Sequence, residues 1–531
     1  MENKLIKIHR RNNLSFNPLQ VGLTVNLMSD KTYSARLLEN FVWYSASIPL
    51  LRNFYYKNGI TQHVFGNDDS NFFWRKAPEK IRKVHSKLPA IITDRMVDLI
   101  TGSGITFELE IYNEDNSINE EETEKAQRII EKIYKENKIQ SLISNAVSAE
   151  SWGGGVAFKI CFDSDLSKLP ILEVEDARNF ELVTKRNRIV AIIFKRWYEK
   201  GSKQKPVKYL LHETYTTNEY GKAMITNELF KIESDKLKPV ELTAIEETAE
   251  YKPKEVFETV NGMLAFYKPN RFPNKEFLGT PYGESDYAGC YSLFDSADEI
   301  LSTALEETRK NKTKYFIPNS LIPKNIHGQD LEFNDFEYNY VKIDDKDDIN
   351  QNEIITHSPD LKVKQYIEEW KEVLITILNS VGLSPLTIGV TGLESINASE
   401  NSQKEREKVS LRTRNNKIKL WTEFLENLTF KVLAAYREMR SRGIIHPGLS
   451  DVLIDESNCS AKVSFGDYIG TSFEERLSTY GDALLKGAIS IEEMVEQIYR
   501  DTKTEEQKKN EIDRIKMEKG MSLSNLDNLL L

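Results

Sequence analysis

Residues 284–310, ESDYAGCYSLFDSADEILSTALEETRK, decide how this chain is read. Tyr287, Cys290, Tyr291, Phe294, Leu301, Ala304 and Leu305 recur at helical spacing as one apolar stripe. Asp295, Asp298, Glu299, Glu306 and Glu307 fall on the opposite face. A second amphipathic helix is predicted over 363–382, with Tyr366, Trp370, Val373, Leu374, Ile377, Leu378 and Val381 on one side and Gly382 as its C-cap. The insert between the two is strand-like at Tyr315–Ile317 and then acidic: Glu332, Asp335, Glu337, Asp344, Asp345, Asp347 and Asp348. A loop rich in Gly, Ser and Thr covers 383–399. Residues 400–442 then keep helical periodicity, a rod of roughly 65 Å at ~1.5 Å per residue, ended by Gly443. None of these pieces carries the residues of an enzyme site, which turns attention from catalysis to surfaces and assembly.

Working outward, the first half reads as mixed α and β. A helix is predicted over 30–57, capped by Asp30 and kinked or ended at Pro49, with Leu37, Leu38, Phe41 and Tyr44 at helical spacing. A second covers 88–101 (Ile91, Ile92, Met96, Leu99, Ile100) and stops at Gly102-Ser-Gly104; 107–111 is a strand. Helix 120–136 is charged, with Ile129, Ile130 and Ile133 as its buried edge. Strand signals follow at 156–160, 170–175, 179–184, 188–199, 207–216 and 224–232, which predicts an α+β domain with an antiparallel sheet. Residues 233–261 read as a loop or edge of that sheet, 459–466 as a strand returning to it, and the tail from 471 as charged helices, one starting at 487–490.

Composition narrows the class. A chain of 531 residues exceeds one compact core and predicts two to four domains. With 40% hydrophobic and 29% charged residues it is a folded, soluble type, and a formal charge of -10 argues against simple coating of nucleic acid. Cys161, Cys290 and Cys459 lie far apart without CxxC spacing, which predicts no disulfide framework and a reducing compartment. Met1–Asn13 is polar and basic, so no signal peptide is expected, and runs such as 373–378 are too short to span a bilayer.

Catalytic signals are weak. Trp152-Gly-Gly-Gly-Val156 lacks a following Gly-Lys-Ser/Thr and reads as a tight turn into a strand. His9, His63, His85, His212, His327, His357 and His446 show no ligand spacing, and Asp344–Asp348 lacks the glycine and final glutamate of a calcium loop. No Gly-x-Ser-x-Gly occurs. We therefore expect no catalytic residues, no metal and no cofactor, and a protein that is not an enzyme.

Two basic features stand out. Lys404, Arg406, Lys408, Arg412, Arg414, Lys417 and Lys419 make the first half of the long helix net basic. They form either a face balanced by Glu400, Glu405 and Glu407, or one docked on an acidic neighbouring subunit, or a nucleic-acid contact. Lys310, Lys312 and Lys314 form a smaller cluster, which the dipole at a helix C-terminus would also favour.

In order, these parts resemble the portal proteins of tailed bacteriophages. The resemblance rests on 88–102 with Ile105-Thr-Phe107; on 145–158 ending in Trp152-Gly-Gly-Gly-Val-Ala-Phe158; on Gly283-Glu-Ser-Asp286 with Leu293-Phe-Asp-Ser-Ala-Asp298; and on Gly470-Thr-Ser-Phe-Glu-Glu475 with Leu485-Lys-Gly-Ala-Ile-Ser490. It covers roughly residues 25–520, each motif weak alone and the ordered set fairly specific. One departure is Ile396-Asn-Ala-Ser-Glu-Asn-Ser402, where many portals enter the long helix with a Ser-Gly-x-Ala-Leu-like stretch.

The resemblance implies a portal-type α+β fold: an α/β wing (1–283, with a return strand in 444–470), stem helices (284–310 and 363–382) and a small α/β clip (311–362). A tunnel loop (383–399), a long wing-crossing helix (400–443) and a helical C-terminal crown (471–531) complete it. It implies a homo-dodecamer at the capsid vertex of the virion, assembled in the host cytoplasm, through which double-stranded DNA is packaged and ejected. Implied partners are non-specific double-stranded DNA, the terminase large subunit, a head–tail adaptor and the major capsid or scaffold protein, with no membrane. The DNA-facing groups would be Lys310, Lys312 and Lys314 as a basic ring and Thr387, Thr391, Ser395 and Asn397 at the constriction. The alternative is a minor head or capsid scaffold protein without a DNA channel; a nucleic-acid-processing enzyme is a third class.

Overall fold

The computed structural model describes residues 30–57, 72–76, 82–115, 117–186, 188–202, 205–233, 236–310, 314–318, 326–327, 339–343, 355–357, 362–389, 400–449, 451, 458–466, 473–499 and 505–518. The chain divides into two compact units, one up to Gly466 and one from Asp467.

The first unit opens with α1 (Asp30–Tyr44), which buries Ala35, Leu37, Leu38, Val42 and Trp43. It ends earlier than periodicity suggests, at Ala46, whose φ is +51°. Pro49 does not break it; Pro49 sits in the first turn of the next short helix, Ile48–Arg52, where the missing N–H is harmless. Helix α2 (Leu88–Thr101) buries Ile92, Met96, Leu99 and Ile100 but leaves Ile91 36% exposed. Strand β1 (Ile105–Ile111), α3 (Glu120–Glu136) and α4 (Ile139–Gly153) follow. Asn119 caps α3 by accepting from the Glu122 N–H.

The Gly153–Gly155 stretch is a turn from helix into strand, as its sequence indicates. Gly154 has φ +80°, and a Cβ there would lie 2.6 Å from the Gly283 carbonyl. Only glycine lets that turn meet the segment that enters the next helix.

Strands β2 (Gly155–Cys161), β3 (Ile171–Asp176), β4 (Phe180–Lys185), β5 (Arg188–Ser202), β6 (Lys205–Thr217), β7 (Lys222–Glu233), β8 (Lys236–Val240), β9 (Lys254–Asn261) and β10 (Ala265–Pro269) build two antiparallel sheets. One is ordered β10-β2-β3; the other is β4-β5-β6-β7-β8, with β9 also pairing with β7. The polar stretch 233–261 thus supplies two edge strands.

Helix α5 (Tyr291–Lys310) begins seven residues later than the stripe suggests, because Gly289 turns left-handed at φ +78°. Its apolar start, Tyr291, Phe294 and Ala297, is buried. The insert contains β11 (Lys314–Pro318), β12 (Asn339–Ile343) and β13 (Ile355–His357), with β11 parallel to β12 and antiparallel to β13. Only the first had a strand signal, and the acidic run around it lies outside the described residues. Helix α6 (Val363–Val381) packs on α5, buries Leu374, Ile377, Leu378 and Val381, and is capped by left-handed Gly382.

Helix α7 (Glu400–Ser441) is the long rod. Trp421, Leu425, Leu428, Val432 and Tyr436 are buried against α2, α3, β9 and β14 (Cys459–Phe465). β14 pairs antiparallel with β1, Ile105 opposite Phe465, in a ribbon of its own and not in the large sheet.

The second unit is α8 (Phe473–Leu485), α9 (Ile491–Tyr499) and α10 (Glu505–Glu518). Ile491, Met494, Val495 and Ile498 form its small core, with Tyr480, Leu484, Ile512 and Ile515 packed around them.

Candidate nucleic-acid interface

The expected DNA-facing groups lie at the two ends of the α5–α6 pair. Lys310 is the last residue of α5, and Lys314 is the first of β11, paired with Asn339 and His357. Lys312 lies outside the described residues, as do Thr391, Ser395 and Asn397.

Thr387, expected at a constriction, is buried against the long helix. The chain leaves α6 through Gly382, buries Leu383 and forms a tight turn at Pro385–Ile388. Thr387 is 8% exposed, and its hydroxyl is 2.8 Å from Ser410 Oγ on α7. Ser410 Oγ also accepts from the Ser384 N–H at 2.7 Å, and Thr413 Oγ1 donates to the Gly382 carbonyl at 2.7 Å. The start of the loop is therefore pinned to the long helix by three hydroxyls, and Thr387 is an anchor. Ser410 and Thr413 carry no signal in sequence beyond lying on one face of a polar helix.

The same face of α7 continues as a ladder of buried polar contacts. Arg414 Nε donates to the Leu99 carbonyl at 2.7 Å, and its guanidinium also bonds the Gly466 carbonyl. Lys417 pairs with Asp286 at 2.8 Å and bonds Asn270. Trp421 Nε1 donates to Glu150 at 2.9 Å, and Glu150 pairs with Lys268 at 2.7 Å. These contacts tie α7 to α2, α4, β10 and the segment entering α5.

Asp286 is the centre of that node. It accepts from Ser151 Oγ at 2.9 Å and from Asn270 Nδ2 at 3.0 Å. Burial alone would raise its pKa, but the cations of Lys417 and Arg271 outweigh it and hold the carboxyl below its ordinary value. Burial pushes Lys268 down, with Glu150 opposing it. Arg414 and Lys417 thus belong neither to a solvated face nor to a nucleic-acid contact. Among the other basic residues of that half, Arg412 and Lys419 are exposed.

A second polar network lies under the first turns of α5, where sequence placed an acidic outer face. Asp295 and Asp298 are 5% and 0% exposed. Asp295 accepts from the backbone N–H groups of Phe73 (2.6 Å) and Trp74 (3.1 Å). Asp298 accepts from Trp74 Nε1 (3.0 Å) and the Ser86 N–H (2.7 Å), and lies 2.6 Å from His85 Nδ1. Burial raises the Asp295 pKa to about 7, partly opposed by its two N–H donors. The carboxylates bind the segments 72–76 and 82–86 across the helix as a strap. Helical periodicity could not reveal this, because the partners are backbone groups more than two hundred residues away.

Little here resembles catalytic chemistry. Burial raises the thiols of Cys161, Cys290 and Cys459 to about 12, 11 and 11, which keeps them poor nucleophiles. Among the described residues no His, Cys, Asp and Glu converge as a metal site, and no helix is long and apolar enough to cross a membrane.

A family model described as "Phage portal protein, SPP1 Gp6-like" matches residues 35–524, nearly the whole chain. No curated protein matches it.

Proposed function

The chain belongs to the SPP1 Gp6-like family of phage portal proteins, and on that premise we propose that copies of it close into a ring at the capsid vertex and pass double-stranded DNA during packaging and ejection. The observation that carries this reading is the continuous family match, which spans both sheets, α5, α6, α7 and most of the C-terminal unit. In this reading the protein is not an enzyme and needs no cofactor. Residues 1–283 and 444–470 form the wing, α5 and α6 the stem, 311–362 the clip, 383–399 the tunnel loop, 400–443 the wing-crossing helix and 471–531 the crown.

Physical features support the assignment. Two paired helices bury one edge against each other and leave Leu301, Leu305 and Trp370 half-covered and Ile367 46% exposed. Identical neighbours in a closed ring would cover such edges. Twelve copies at -10 each would carry about -120 before counterions, a charge that repels phosphate and limits sticking. A ring of Lys310, Lys312 and Lys314 would offer transient holds, and Thr391, Ser395 and Asn397 would line the constriction beyond the Ser384–Thr387 anchor. The clip would dock the terminase large subunit and then a head–tail adaptor, and the wing would meet the major capsid or scaffold protein.

The test is K310A/K312A/K314A in an assembled particle. DNA retention or packaging should change while ring formation persists. Unchanged packaging and retention would remove the lysines from the account.

A further inference from the structure

Cations on the strap across α5 and beside it lack a carboxylate partner among the described residues. Arg52, Arg82 and Lys87 are exposed and Arg75 is half-buried. Among the described residues none of the four has a carboxylate partner, whereas cations elsewhere, such as Lys159, Lys195, Lys268 and Lys417, are each closed by a glutamate or aspartate. The buried carboxylates Asp295 and Asp298 are already occupied by Phe73, Trp74, His85 and Ser86, and exposed Glu299 beside Asp295 makes no ion pair with these four cations among the described residues.

The elements that carry the four cations pack together around the first turns of α5. Lys83 donates to the Phe73 and Trp74 carbonyls at 3.1 and 2.9 Å, which puts it beside Arg75. The helix ending at Arg52 packs on Phe73–Lys76. Burial and the Arg52 charge together lower the Lys83 pKa to about 8, an independent sign of like-charge crowding. Arg82 and Lys87 flank Lys83 in sequence. The platform is fixed by five contacts to Asp295 and Asp298 and by the Val84 N–H on Ser302 Oγ at 2.9 Å.

We propose that Arg52, Arg75, Arg82 and Lys87 form a contact for the phosphate backbone of double-stranded DNA, separate from the lysines at the α5–β11 junction. Guanidinium forks match phosphate oxygens, and unpaired cations on a rigid base release counterions when they meet a polyanion. A protein partner fits less well. Its contacts would centre on large aromatic or aliphatic anchors, but Trp74 is fully buried, and beside these cations Ile91 is the large apolar side chain among the described residues that reaches 36% exposure. The contact would be blind to sequence, because nothing here is arranged to read base edges. The inference rests on the reading that this chain handles duplex DNA, but not on where a channel runs.

The experiment is binding of a short random-sequence DNA duplex to purified full-length protein across a salt series, using wild type, R52Q/R82Q/K87Q and K310Q/K312Q/K314Q. Wild type should bind with a steep salt dependence. The first variant should lose about two to three from the log–log salt slope, since each phosphate contact contributes roughly 0.9. The second variant should keep this patch's share of the slope. The single variant R82Q, expected to lower the slope by about 0.9, serves if the triple variant unfolds. An unchanged slope in R52Q/R82Q/K87Q, or no duplex binding by wild type, overturns the proposal, even if the particle is a ring. A fall in native mass with an unchanged slope overturns it too, and assigns the cations to a contact between copies.

Discussion

The node around Asp286 and the junction from α5 into β11 are built on opposite terms. At the node, Lys417, Asp286, Asn270, Ser151, Glu150, Lys268 and Trp421 satisfy one another inside a single chain. At the junction, a helix ends in lysine and a small three-stranded sheet begins; Ile317 is its buried apolar residue among those described. The contrast separates two jobs. Polar groups closed internally set the pose of α7 on α2, α4 and β10. In the proposed ring, groups and edges left open would meet neighbours, DNA or docking proteins.

The largest effect should come from breaking the node. Asp286→Ala or Lys417→Met leaves an uncompensated buried charge and should cost about 3–5 kcal/mol in denaturant unfolding. D286A/K417M should cost less than the two single losses together, because the pair is removed as a unit. An additive result would mean that the two groups are not coupled.

Next is the loop anchor. Ser410→Ala removes the acceptor of the buried Ser384 N–H and should cost about 1–2 kcal/mol. Amide exchange over 383–389 should speed up while native mass stays constant. Unaltered exchange there would show that the hydroxyl cluster does not hold the loop.

A smaller effect concerns pH at the strap. Asp295 has a folded pKa near 7, above its ordinary 3.8. The folded state therefore binds more protons than the unfolded state between about pH 4 and 7, and this group's contribution to stability falls as pH rises through that window. Lys83 acts in the other direction at higher pH: its folded pKa of about 8 lies below 10.5, so its share of stability rises from about pH 8 to 10. Asp295→Asn should flatten the dependence between pH 4 and 7. A variant whose midpoint tracks wild type over that range would exclude Asp295 as its source.

Sequence periodicity located most regular elements, because burial patterns at 3.6 and 2 residues survive in composition: 88–101 and 120–136 match α2 and α3 residue for residue. It failed where tertiary partners decide. Residues 285–289 carry helical spacing but turn into the Asp286 node, so α5 starts at Tyr291. Asp295 and Asp298 look like a wet face until Phe73, Trp74 and Ser86 supply N–H donors, and Arg414 and Lys417 look like a basic stripe until carbonyls and Asp286 meet them. β12 and β13 are short and flank an acidic run, which left no alternation to read. Of the candidate site, the positions of Lys310 and Lys314 at a helix–sheet junction were legible; the anchoring role of Thr387 was not, since it depends on Ser410.

The central claim is that the open edges of this chain are completed by copies of itself around a hole. Native mass of the purified protein, with negative-stain images of the same fraction, tests it most directly. The account predicts a particle of about 740 kDa, twelve chains of 61.3 kDa, seen as a ring with a central channel. A compact, non-ring oligomer without a channel would contradict it and favour a minor head or scaffold role.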